Sequence, residues 1–176
     1  MKKFLLASAV IFSGMLAAQS YAVAGSIAIT GTIIDKGCDV VGGAQAMDLD
    51  LGMVDRTAFG GVVGATLGSA PLKISLANCP TGIGSVGVVF DGSADAENAD
   101  LLALQSAEGG AKGVGIAFYE YDSTTQIKLH HQSVYNPLAE GQTDLVLNYV
   151  AKYMATSKTV VGGKADAVAN FTLVYN

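Results

Sequence analysis

Arginine occurs once in this chain, at Arg56, and histidine and cysteine twice each. Each scarcity excludes something. A single arginine and scattered lysines make no basic patch interleaved with aromatics, so nucleic-acid binding has no footing. The two histidines, His130 and His131, are adjacent. On a strand they would point to opposite faces, and no cysteine or carboxylate cluster joins them to form a metal site. HExxH, GxSxG, CxxC and the P-loop are all missing, and with them the chemistries those spacings serve. GIGSVG, Gly82 to Gly87, matches GxGxxG by letter only. It follows Cys79-Pro80 and leads into the strand-like VGVVF, whereas a dinucleotide site needs strand, turn and helix in that order. The acidic stretch Asp91 to Asp100 lacks EF-hand spacing and reads as a solvated loop. No catalytic residue, metal ligand or cofactor is expected, and the chain is not read as an enzyme.

Long apolar runs are scarce too. The one present, Phe4 to Ala18, follows Lys2 and Lys3 and precedes the small residues Ser20 and Ala22. That is the pattern of a secretory signal peptide over residues 1–22, and the run is too short for the roughly 20 apolar residues of a membrane span. A second cut after Ala24 ranks below cleavage after Ala22. Without Lys2 and Lys3 the formal charge of −5 becomes −7. The mature length suits one domain with a real core. Cys38 and Cys79 both lie in the exported part, and an even count in an oxidising compartment favours a disulfide between them. Closing that loop should contribute about 3–4 kcal/mol in the chain-entropy model.

What remains reads mostly as β. Ile27, Ile29, Gly31 and Ile33 share one face of SIAITGTII, and Leu72, Ile74 and Leu76 alternate in PLKISLANC. Val86, Val88 and Phe90 follow, then GVGIAFYEY, QIKLHH and DLVLNYVAKYMA, with GG, TG and DG breakers between the runs. Short strands separated by glycine-rich turns predict an antiparallel sandwich. The exception is ADAENADLLALQSAEGG, Ala94 to Gly110, whose composition also allows a short helix. At the end of the chain, Ala165, Ala167, Ala169, Phe171, Leu173 and Tyr175 alternate with mostly polar neighbours. This predicts a half-buried strand from Ala165 to Tyr175. Asn170-Phe171-Thr172 is a formal glycosylation sequon, discounted because it falls within that strand.

ITGTIIDKGC, LANCP, DGSADAENADLLALQ, GVGIAFYEYD, YMAT and NFTLVYN together resemble the subunits of chaperone–usher fimbriae. The likeness is to the type 1 fimbrial pilin family, especially its minor shaft and tip-adaptor subunits, and it spans essentially all of the mature chain. The resemblance implies an immunoglobulin-like sandwich lacking its seventh strand, residues 35–176, preceded by a donor-strand extension at residues 23–34. It further implies a periplasmic chaperone, an outer-membrane usher and neighbouring subunits as partners, with a fimbrium on the bacterial surface as the destination. In such a subunit the extension, through Gly25, Ile27, Ile29, Gly31 and Ile33, fills the groove of the next copy. The groove edge would be Ala165, Ala167, Ala169, Phe171, Leu173 and Tyr175. Gly163, the penultimate Tyr175 and the carboxylate of Asn176 would be read by the chaperone. Two other readings compete: a glycan-binding adhesin, for which the mature chain leaves no room for an additional lectin domain, and a free-standing periplasmic binding sandwich.

Overall fold

The computed structural model describes residues 28, 30–43, 47–105 and 108–176. The signal peptide and the donor residues Gly25, Ile27 and Ile29 lie outside them. The chain falls into two units, Met1–Ile33 and Ile34–Asn176, and the sandwich belongs to the second.

Among the described residues eight strands build it: β1 (Asp39–Val40), β2 (Thr66–Ala77), β3 (Ser85–Asp91), β4 (Val114–Glu120), β5 (Gln126–Ile127), β6 (Asn136–Pro137), β7 (Leu145–Ala155) and β8 (Asn170–Tyr175). They form two antiparallel sheets, one in the order β1-β2-β7-β4-β5 and the other β6-β3-β8. A 3-10 turn at Arg56–Phe59, capped by Asp55, precedes β2.

Alternation explains the core. Ile74 and Leu76 of β2, Val86, Val88 and Phe90 of β3, and Leu147, Tyr149 and Ala151 of β7 are all buried, each set two residues apart as a pleated strand requires. Ile116 and Phe118 of β4 join them. Between the layers Phe90 stacks on Phe118 with ring centroids 4.3 Å apart and meets Tyr149 edge-on at 5.3 Å, a geometry that aromatic quadrupoles favour. The Tyr149 hydroxyl lies 3.1 Å from the Ser133 hydroxyl, so the one polar atom on this ring is satisfied inside the core. In β2 the register shifts between Leu67 and Ala70, and Gly68 takes φ +64° there, the left-handed conformation that a bulge asks of glycine.

The second face of β4 is covered as well. Ala117 and Tyr119 pack with Leu101 and Met154, and Leu102 bridges Ile116. The segment that delivers Leu101 and Leu102 is not helical in its described residues, 94–105 and 108–110. Asp95 accepts the amides of Glu97 and Asn98, and Asn98 accepts that of Asp100. Short polar side chains bonding the backbone two or three residues on hold turns in place of a helix.

Two further expectations are corrected. QIKLHH pairs only at Gln126–Ile127; His130 sits at φ +63° in a turn, its Nδ1 3.0 Å from the Asp91 carboxylate. The last strand pairs only from Asn170 onward, because its partner β3 ends at Asp91 and residues 165–169 run past it with no ladder to join.

Candidate functional site

β8 is one edge of the three-stranded sheet and the two-residue β1, paired with the end of β2, is one edge of the larger; an open groove of about 1060 Å³ is lined by residues of both. Its floor is the core itself, where Phe90, Ile116, Phe118 and Ala151 line it. Ala165, Ala167, Ala169, Phe171 and Leu173 line one side, and Val40, Leu51 and Leu72 are among the residues of the other. A complete sandwich would cover these side chains with one more strand. Here those floor residues are buried, while Ala165, Ala167, Phe171 and Leu173 on the wall stay half-buried beside an open sheet edge, a state that apolar surface and an unpaired edge both disfavour.

The backbone of β8 adds a second unsatisfied feature. Asn176 and Ser85 exchange both main-chain hydrogen bonds, at 3.0 and 2.9 Å, and in an antiparallel pair such exchanges alternate along the strands. The main-chain groups of Val174 and Thr172 therefore face β3, while those of Phe171, Leu173 and Tyr175 face the groove. The other side of β3 agrees: the amide of Val88 donates to Ser133 Oγ, and the carbonyl of Phe90 accepts from the amide of His130. Both groups thus point away from β8. The groove offers a trough with an apolar floor and a row of backbone donors and acceptors along one wall.

Each residue named from the sequence that lies among the described ones has a definite place. Cys38 and Cys79 are joined by a disulfide. Tyr175 packs against the core from the end of β8, and its hydroxyl accepts the amide of Cys38 at 3.0 Å. A methyl group at Gly37 would overlap the Tyr175 ring, so the two segments are in close contact. Asn176 is tied to its own domain, its main-chain oxygen accepting the amides of Gly84 and Ser85. Gly163 is not on the main groove; it borders a second cavity of about 340 Å³ at the far end. There it lies so near Gly109 to Ala111 that any side chain would meet their backbone. Gly31 and Ile33 are exposed, with nothing within 4 Å of a Cβ at Gly31.

The wall opposite β8 was not foreseen. Met47, Leu49 and Leu51 belong to the alternating stretch MDLDL, whose Asp48 and Asp50 also line the groove, together with Asp39 and Asp166. Period-two alternation was the available signal. Tyr153, between the two walls, has its phenol pushed up first by burial and then by the negative charge of Asp50 and Asp166.

The fold is a two-sheet antiparallel β-sandwich with an open groove between a sheet edge and the opposite wall. A sequence profile of the fimbrial protein family matches residues 27–176. The long polar fimbria protein A of Salmonella typhimurium strain LT2 is 35% identical over 172 residues, covering 97% of this chain and 93% of that protein. The probable major fimbrial subunit LpfA of Escherichia coli O157:H7 is 35% identical over 152 residues, covering 86% and 83%. Among solved structures, the Burkholderia pseudomallei antigen and type I fimbria protein BPSL1626 superimposes with TM-score 0.56 at 34% identity, covering 81% of this chain and 91% of that one. The P pilus rod subunit PapA shares the fold at 22% identity, with TM-score 0.61 and coverage of 80% and 100%. The chain belongs to the fimbrial protein family, as a structural subunit of a cell-surface fimbrium with the immunoglobulin-like pilin fold. No helix among the described residues is long and apolar enough to cross a membrane.

Proposed function

We propose that the groove is filled in turn by two strands from other polypeptides, and that the chain acts by assembly and not by catalysis. A periplasmic chaperone supplies the first strand and presents the subunit to an outer-membrane usher. The extension of the next subunit, residues 23–34, then replaces it and extends a head-to-tail fibre that supports adhesion of the cell. Strand addition at an open sheet edge is a general mode of recognition, of which chaperone–pilin complementation is an established instance.

The observation that carries this reading is the open edge of β8 beside a groove that reaches down to the core. Main-chain groups of Phe171, Leu173 and Tyr175 give a strand its pairing, and the trough gives its alternate side chains a place. The extension suits it: Ile27, Ile29 and Ile33 recur on one face with Gly31 between them, and each fully buried isoleucine contributes about 1.5–3 kcal/mol. Gly31 would let the backbone approach closely where a side chain could not. Recognition by the chaperone is assigned to Tyr175 and the carboxylate of Asn176, to Gly163 at the far end, and to the edge Ala165, Ala167, Ala169, Phe171 and Leu173 between them. Charge-assisted bonds to that carboxylate would engage the oxygen that Gly84 and Ser85 do not hold.

Deleting Val23 to Ile29 tests the reading. The shortened subunit should still be captured by its chaperone, because its own groove is intact, yet fail to cap another subunit. Normal internal incorporation into full-length fibres would refute it.

A further inference from the structure

Charge on the groove is of one sign. Its lining holds Asp39, Asp48, Asp50 and Asp166 and no lysine, arginine or histidine. Asp39 already has a cation, Lys36 at 3.5 Å. Among the described residues no ion pair involves the other three, and the Gly52 amide, 2.8 Å from Asp50, is the hydrogen-bond donor their carboxylates engage. All three are exposed, whereas Leu51, Ala165 and Ala167 beside them are half-buried. The carboxylates therefore stand along the rim, above the apolar floor. Asp50 and Asp166 come from opposite walls, yet both act on the phenol of Tyr153, which burial first and then these two charges push up.

We infer that this rim selects the chemistry of the first occupant: a chaperone strand that alternates apolar side chains, turned to the floor, with lysine or arginine turned to the carboxylates of Asp48, Asp50 and Asp166. The inference rests on the strand-acceptance reading and specifies the partner that reading needs. A strand laid in the groove sends successive side chains to opposite faces. Its outward residues therefore lie level with the rim whichever way it runs. Carboxylates on both sides of one trough repel an acidic residue brought between them and attract a cation. The chain's own extension has none to offer along its length: Val23 to Ile33 carries no charged side chain, and Lys36 is held at Asp39.

The two occupants thus differ in their electrostatics. Exposed charge pairs contribute modestly and are screened by salt, so the rim tunes capture and release while the apolar floor supplies most of the affinity. A basic strand makes such pairs and, being attracted from a distance, arrives faster. The neutral strand that displaces it makes none, and its hold on the groove is insensitive to salt.

The test uses three synthetic peptides of the Val23–Ile33 sequence with both ends capped: one unchanged, one with Ala28→Lys and Thr30→Lys, one with Ala28→Glu and Thr30→Glu. These are outward positions, alternating with Ile27, Ile29 and Gly31. On the mature subunit at low salt, the lysine peptide should bind about three- to tenfold tighter than the unchanged one, and the glutamate peptide weaker by a similar factor. In about 1 M salt, where the screening length is about 3 Å, the three should bind alike. The variant Asp48→Asn, Asp50→Asn, Asp166→Asn keeps the side-chain shapes, and in it the ranking should vanish at low salt as well. The complex of the subunit with its chaperone should come apart about three- to tenfold faster at high salt, and the variant should lose that dependence. Equal binding of the three peptides at low salt would overturn the inference, as would a ranking that persists in the variant. A peptide ranking beside a chaperone complex indifferent to salt would overturn the assignment to the chaperone strand. Failure of all three peptides to bind would overturn the strand-acceptance reading, and this inference with it.

Discussion

The hydroxyl of Tyr175, the penultimate residue, accepts the main-chain amide of Cys38 at 3.0 Å across a sequence separation of 137 residues. One bond thus joins the end of β8, the disulfide and the point where the chain enters its domain. Tyr175→Phe keeps the ring and removes this bond, and should cost about 0.5–1.5 kcal/mol in urea unfolding. Faster hydrogen exchange at the Cys38 amide, with the rest of β8 unchanged, is the accompanying sign.

The disulfide itself closes a separation of 41 residues. Cys38→Ser should lower stability by about 2–5 kcal/mol and reduce the yield of exported subunit. Mass spectrometry of the purified subunit should find no free thiol; two free thiols would contradict the pairing.

Two glycines with opposite surroundings separate domain stability from donor function. Gly163→Ala pushes a methyl group into the backbone of Gly109 to Ala111 and should destabilise the domain by about 1–3 kcal/mol. Gly31→Val meets nothing within 4 Å and should leave domain stability within about 0.5 kcal/mol. It should nevertheless weaken the extension as a donor. Denaturation midpoints and peptide competition measure the two effects independently.

Acid should act on the β4–β5 turn. Asp122 accepts the hydroxyl and amide of Thr125 and the amide of Thr124, and these bonds hold its pKa down at about 2, from an ordinary 3.8. A depressed carboxylate stabilises the folded turn above its ordinary pKa, and that contribution disappears as pH falls through about 2. The Thr124 and Thr125 amides should therefore exchange faster between about pH 4 and pH 2, and Asp122→Ala should abolish the dependence. A carboxyl titration by NMR near 3.8 would contradict the assignment.

Much of this architecture is legible in the residues. β2, β3 and β7 announce themselves because Ile74 and Leu76, Val86 to Phe90, and Leu147 to Ala151 alternate strictly against a buried face. Other features depend on partners that a local pattern does not display. Ala165 to Ala169 alternates as well as Phe171 to Tyr175 does, but pairing requires a neighbour, and β3 stops at Asp91. MDLDL escaped notice as the opposite wall because no ladder marks residues 47–51 as a strand. Ala94 to Gln105 has helix-forming composition, overridden by the Asp95 and Asn98 turns that carry Leu101 and Leu102 onto β4. Gly163 resembles an ordinary turn residue until the backbone of Gly109 to Ala111 is seen beside it.

The central claim is that β8 offers its free edge to a strand from another chain, and residue-resolved hydrogen exchange tests it most directly. A subunit lacking Val23 to Ile29 is refolded with and without the Val23–Ile33 peptide. The account predicts that the amides of Phe171, Leu173 and Tyr175 exchange rapidly alone and become protected with peptide, while those of Thr172 and Val174 are already protected by β3. Protection that does not change on adding the peptide, or that changes without this alternation, would contradict it.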